Sequence, residues 1–343
     1  MSRSGGFQGR AARLLDAPSA TQREILALVA DRLGDVEALF RESLGSPLRI
    51  IEEIGEFLAN GGGKRVRPTL HLLSARMCGY KGSNDVLLAT VLEFIHSATL
   101  IHDDIIDEAK TRRGRPSVNR VWGNNVTVLF GDYLYAKAME MALRAESLEV
   151  METLSTVTLR MTEGEMLQTR YAGRIDLGED EYHDLIERKT AELFAACCEL
   201  AGVIAEVDED RRDALRRYGL NLGLAFQVVD DLLDFVGDSK TLGKPAASDL
   251  REGKVTLPLI ELLGEGPVRA RELAVAIMES GEADTPEIAE LATLLKESGA
   301  VDRAHRRARD YASRATLALD VFPDSPAKVA LQAIPNLLLY RDR

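Results

Sequence analysis

Apolar residues recur at i, i+3 and i+4 along nearly the whole chain from about residue 20 onward, in segments of roughly 12–25 residues. That spacing places them on one face of a helix, so the pattern predicts an almost entirely helical protein. Residues 83–85 (Ser-Asn-Asp) are expected to cap a long helix that reaches Asp103. Thr285-Pro286-Glu287 has the proline and early acid of a helix start, with Gly299 past its end, and Ser325-Pro326 opens the last helix. The single strand-like stretch, residues 126–130, sits inside a helical pattern. Polar breaks fall at the glycines 61–63, at residues 112–116 and between Gly237 and Gly253. Neither a repeat nor a linker divides the chain, so residues 20–343 read as one all-α, bundle-like domain. Residues 1–19, rich in Gly, Ser, Ala and Arg without a period, are expected to be disordered.

Composition narrows the function. The 343 residues carry 43 Lys+Arg against 55 Asp+Glu, a net charge of −12. Such a chain is a poor partner for nucleic acid or anionic membrane, unless a local basic cluster or bridging cations intervene. Cys78, Cys197 and Cys198 show neither a CxxC spacing nor an even framework, as expected of reduced thiols. No secretory signal pattern and no apolar run of about 18 residues is evident, so a soluble, cytoplasmic protein without stable membrane insertion is expected.

Two acidic clusters change this picture. Asp103-Asp104-Ile105-Ile106-Asp107 and Asp230-Asp231-Leu232-Leu233-Asp234 share one spacing, each on an otherwise apolar helix. Residues four apart lie about 40° apart around a helix axis, so the outer carboxylates of each cluster share a face. Like charges at i and i+4 repel, and burial amplifies the cost. A solvated acidic edge would explain one such cluster; two, flanked by large apolar residues, point to a shared cavity holding divalent cations. Magnesium suits them, because it binds one or two carboxylates together with phosphate oxygens. Basic residues stand at the ends of the same helices: Lys64 and Arg67 after the glycine run, Arg112 and Arg113 after the first cluster, Lys244 and Lys254 after the second. Together with the metal clusters they indicate two diphosphates held side by side.

These stretches, with Lys189-Thr190 and Phe226-Gln227, resemble the trans-isoprenyl diphosphate synthases from about residue 45 to the C-terminus. The resemblance implies a bundle of roughly 12–15 helices around a deep central cavity. It implies magnesium ligation by Asp103, Asp107 and Asp230, with two or three ions bridging an allylic diphosphate. It assigns Lys64, Arg67, His96 and Arg113 to isopentenyl diphosphate, and Arg112, Lys189, Lys244 and Lys254 to the allylic diphosphate. Thr190 and Gln227 would stand beside the developing carbocation. Arg341 and Arg343 match either a closing basic tail or a solvated one. A homodimer is also implied.

A terpene cyclase would lack the second-diphosphate pocket, and a noncatalytic partner subunit would lack the aspartates, so elongation of an allylic diphosphate (farnesyl or geranylgeranyl) is the expected activity. Thr99 and Ala98, four and five residues before Asp103, are small where short-chain relatives carry an aromatic side chain. A tail running past them, Ile95, Leu92 and Leu88 would travel about 16 Å along the helix. That depth predicts a long all-trans product, octaprenyl to decaprenyl, suited to a quinone side chain.

Overall fold

The computed structural model describes residues 20–63, 65–112, 114–236, 247–282 and 285–339. The N-terminal segment, Lys64, Arg113, Lys244, Arg341 and Arg343 lie outside the described residues.

The expectation of an all-helical fold holds. The chain runs through α1 (Ala20–Ala27), α2 (Ala30–Ser43), α3 (Arg49–Ala59), α4 (Val66–Met77), α5 (Asn84–Ile106), α6 (Val118–Trp122), α7 (Asn124–Ala142), α8 (Leu148–Tyr171) and α9 (Glu179–Ile186). It continues through α10 (Glu192–Ile204), α11 (Glu209–Val236), α12 (Ser248–Arg251), α13 (Leu257–Glu265), α14 (Val268–Ser280), α15 (Pro286–Glu297), α16 (Ala300–Ala318) and α17 (Pro326–Leu339). Residues 126–130 belong to α7, so the strand-like stretch is helix. The one sheet among the described residues is a hairpin of two-residue strands, β1 (Thr111–Arg112) and β2 (Arg115–Pro116), at the second polar break.

Two long helices form the axis of the bundle. Helix α5 packs against α2, α4, α7 and α10, and Leu88, Leu92, Ile95 and Ala98 along it are fully buried. By length and composition α5 could cross a membrane, but 78% of its apolar window is buried inside the bundle, as a core helix requires. Helix α11 packs against α10 and α16. Its backbone lies against the start of α10, because a Cβ at Gly223 would stand 2.6 Å from the Ala191 Cα. One continuous apolar core runs from Ile25 to Leu338. The C-terminal ends of α5 and α11 both carry an aspartate cluster, and the packing sets those ends around one cavity.

Helix starts match the sequence unevenly. Ser325 caps α17 as expected, its Oγ accepting from Lys328 N at 3.1 Å. Ser83 makes no capping bond to α5; Asp85 instead accepts from the Arg32 Nε at 3.0 Å, tying α5 to α2.

Candidate active site

A cavity of about 550 Å³ opens between α4, α5, α7, α8, the segment joining α9 to α10, and α11. Asp103 on α5 and Asp107 just past its end line the cavity, and Asp230 lines it from α11. The same cavity is lined by Arg67, His96, Arg112, Lys189, Thr190 and Gln227. Nine of the residues singled out from the sequence thus meet in one space. Lys254 lines an adjoining pocket of about 160 Å³ that also contains Lys189, Thr190, Gln227 and Asp230.

The six motif aspartates do not act alike. Asp104 turns away from the cavity, is 3% exposed, and accepts from the Arg112 Nε and Nη2, each at 2.8 Å. Asp231 is buried and accepts from the Tyr182 hydroxyl at 2.6 Å and from the Gln227 amide at 2.8 Å. Asp234 accepts from Ser248 N at 3.2 Å, Asp249 N at 3.1 Å and the Ser248 hydroxyl at 2.5 Å, and so caps α12. Capping holds Asp249 and Lys254 beside the cavity; Lys254 Nζ lies 3.1 Å from Asp107.

Electrostatics mark the site as overloaded with negative charge. Burial pushes the Asp103 carboxyl up to about 6, with Lys189 pulling it down and Glu165 and Asp107 pushing it further up. Burial raises Asp231 to about 7, its hydrogen bonds to Tyr182 and Gln227 opposing. Asp249 is raised well above the carboxylate range by burial and by Asp234 and Asp231. For Lys254 burial lowers the pKa, but Asp107 and Glu252 more than offset it, so the ammonium is held.

Lys189 and Thr190 sit in a wider turn, Glu187–Ala191, with the i→i+5 bonding of a π-helix between α9 and α10. The extra residue swings both side chains toward the aspartates. Gly164 of α8 permits this approach, since a Cβ there would stand 2.6 Å from Lys189 N. Lys189 Nζ pairs with Glu165 at 2.5 Å, and Thr190 Oγ1 donates to Gln227 Oε1 at 2.8 Å. Sequence reasoning missed Glu165, Asp249 and Tyr182. The carboxylates read as solvated helix faces, and no spacing signals a wide turn.

A smaller pocket of about 90 Å³ lies on the other side of α5, lined by Gly61, Gly62, Arg65, His96, Asp104, Arg112 and Arg115 among others. His96 and Arg112 line both this pocket and the main cavity. Arg67 faces the main cavity with its guanidinium 4.9 Å from the Phe194 ring centroid.

The expected tail path needs correction. Thr99 lines the cavity, but Ala98, Ile95, Leu92 and Leu88 are each 0% exposed, so the space stops above them. Ala98 lies about 140° around the axis from Asp103 and faces elsewhere. On the α7 and α8 side the cavity walls mix Val128, Tyr135 and Met161 with Asp132, Thr162 and Glu165.

The polyprenyl synthetase family profile matches residues 48–295. The octaprenyl diphosphate synthase of Escherichia coli (strain K12) is 37% identical over 93% of this chain and 99% of its own. A short chain isoprenyl diphosphate synthase of Methanothermobacter thermautotrophicus is 38% identical over 84% of this chain and 89% of its own. A polyprenyl synthase from Caulobacter crescentus CB15, solved with calcium and isoprenyl diphosphate, superposes with a TM-score of 0.87. It is 36% identical and covers 99% of both chains. The family match and these whole-length relatives place the chain in the polyprenyl synthetase family, as a prenyltransferase that elongates an allylic diphosphate.

Proposed function

We propose that this cavity condenses isopentenyl diphosphate repeatedly onto a farnesyl- or geranylgeranyl-type diphosphate to give a long all-trans polyprenyl diphosphate, of a length suited to quinone side chains. The observation that carries this is the meeting of Asp103, Asp107 and Asp230 at one end of a cavity of about 550 Å³ whose other walls include Ile106, Val128 and Met161.

The donor set suits magnesium in chemistry: carboxylate oxygens line one cavity from two helices, and Asp103 is raised to about 6 in a site short of positive charge. Among the described residues no three acidic or histidine side chains stand close enough to hold an ion by themselves, so diphosphate oxygens would have to complete its shell. Asp103, Asp107 and Asp230 would hold two or three such ions, which when bound neutralise the leaving diphosphate and polarise its bond. Lys189, Lys254 and Arg112 add fixed cations beside that leaving group, exchanging their carboxylate partners Glu165, Asp107 and Asp104 for phosphate oxygens. The allylic C–O bond breaks, and the electron pair leaves with the diphosphate. Thr190 Oγ and the Gln227 amide, joined to each other and to buried Asp231, present fixed dipoles to the allylic cation. The isopentenyl double bond attacks that cation from a second-substrate site, read as the smaller pocket, which meets the main cavity at His96 with Arg67 on the cavity side, and a proton leaves to the departing diphosphate.

Product length follows from the apolar walls. Thr99 is small where it lines the cavity beside the aspartates, and Val128 and Met161 are apolar members of the same lining. Thr99→Phe should shorten the product by several isoprene units while retaining turnover; an unchanged product would show that the tail leaves elsewhere.

The reading extends to a cytoplasmic enzyme folded as one domain, residues 20–343, around its continuous core. It also includes a homodimer. Leu129 (67% exposed) on α7, with Leu148 (75%), Leu159 (61%) and Met166 (69%) on α8, leaves an apolar face uncovered. A second copy is the proposed cover, and a dimer by light scattering is the expected result; a monomer at assay concentration contradicts it.

A further inference from the structure

Arg115 stands on β2, outside every position that the resemblance assigns. Three arginines line the smaller pocket: Arg65, Arg112 and Arg115. Arg65 is neutralised by Glu37 and Glu93, and Arg112 by Asp104. Arg115 has no ion pair among the described residues. Its Nη1 donates to the Asn60 carbonyl oxygen at 2.7 Å, beside Gly61 and Gly62. Its guanidinium lies 5.0 Å from the Phe57 ring centroid, and Phe57 meets Trp122 edge-on at 5.1 Å. The carbonyl and the ring fix the direction of the planar fork and engage one of its N–H donors.

An exposed arginine usually sweeps many rotamers, and ordering it costs entropy on binding. Here the aromatic pair and the carbonyl meet that cost in advance. A held guanidinium presents two parallel donors with a full positive charge, the geometry that phosphate oxygens accept. Gly61 and Gly62 line the same pocket without a Cβ on either, leaving room for a ligand near the fork.

We propose that Arg115 is a binding residue for the diphosphate of isopentenyl diphosphate in this smaller pocket, contributing charge that Arg65 shares with Glu37 and Glu93 and that Arg112 directs to the allylic diphosphate. The inference rests on the reading of that pocket as the second-substrate site.

The test is steady-state kinetics of the full chain with both substrates varied, using Arg115→Gln and Arg115→Lys at several salt concentrations. Arg115 is exposed, so both variants should fold. Arg115→Gln should raise KM for isopentenyl diphosphate about tenfold, the size of one charged hydrogen bond. The KM for the allylic diphosphate should stay within about twofold, and Arg115→Lys, which keeps the charge, should lose less than about threefold. The salt dependence of the isopentenyl KM should become shallower in Arg115→Gln, because one screened attraction has gone. A direct electrostatic role predicts that change in slope; a purely structural role does not. An isopentenyl KM within twofold of the parent, an equal rise for both substrates, or a rise with an unchanged salt slope would each overturn the proposal. A parent chain that consumes no isopentenyl diphosphate would defeat the functional reading; an active parent with an unaltered Arg115→Gln defeats this inference alone.

Discussion

The first aspartate motif and the second have the same spacing, yet the fold employs them differently. In the first, Asp103 and Asp107 both face the cavity, and Asp104 anchors Arg112. In the second, Asp230 is the member that lines the main cavity, while Asp231 fixes Tyr182 and Gln227, and Asp234 caps α12. Two carboxylates of the first motif are thus proposed cation ligands, against one of the second. The lesson is that spacing reports which side chains share a helix face; the neighbours of each helix decide what those side chains do. Helix α5 ends beside the hairpin, which supplies a cation to Asp104. Helix α11 ends beneath α12, whose exposed N–H groups need an acceptor.

Substituting within the comparison should separate chemistry from architecture. The largest effect is expected from Asp103→Ala and Asp230→Ala, each lowering turnover by about 10³-fold or more, since several kcal/mol of charge stabilisation would go. Removing either charge relieves repulsion, so melting temperatures should hold or rise. Near-parental turnover in either variant would refute the cation assignment.

Asp234→Ala should show the opposite balance. It leaves Ser248 N and Asp249 N without their cap, at a cost of about 1–2 kcal/mol. A lowered melting temperature is expected, with turnover falling about tenfold as Asp249 and Lys254 lose their placement. If Asp234→Ala instead left the melting temperature unchanged and abolished turnover, the division between the two motifs would collapse.

Asp231→Asn is expected to fall between these. The asparagine oxygen can still accept from Gln227, but its NH2 would have to donate to the Tyr182 hydroxyl, reversing that bond and losing the charge that both bonds now share. A loss of roughly tenfold in kcat, with little change in either KM, would fit a group that positions Gln227. Large KM changes would place Asp231 in substrate binding instead.

The smallest effect is a pH dependence. Asp103 in the fold stands at about 6, above its ordinary 3.8. Without cation its ionisation therefore costs stability, a contribution present at low pH and lost as pH rises through about 6. Cation binding requires the charged form, so magnesium affinity should rise over the same interval. Thermal shifts on adding magnesium at pH about 5 and about 7.5 would test this, with the larger stabilisation at the higher pH. Equal shifts would contradict the assignment of Asp103.

Much of the arrangement was legible in the sequence because α5 and α11 have clear apolar periods, which give each aspartate a face. Arg67, His96, Lys189, Thr190 and Gln227 line one cavity with the aspartates. What escaped has physical reasons. The wide turn at Glu187–Ala191 interrupts no apolar pattern, so the sequence reads as one continuous helix there. Glu165 lies among Glu163, Gly164 and Met166 and reads as a solvated face until Lys189 is brought 2.5 Å from it. The tail path is not legible from residue size, because a small side chain such as Ala98 can be packed on every side, as its 0% exposure shows.

The most direct test is the product distribution of the parent enzyme given isopentenyl diphosphate and farnesyl diphosphate, with and without magnesium. The account predicts a magnesium-dependent ladder of all-trans products that terminates between octaprenyl and decaprenyl diphosphate. A ladder ending at geranylgeranyl diphosphate, a cyclised hydrocarbon formed from farnesyl diphosphate alone, or turnover indifferent to divalent cations would contradict it.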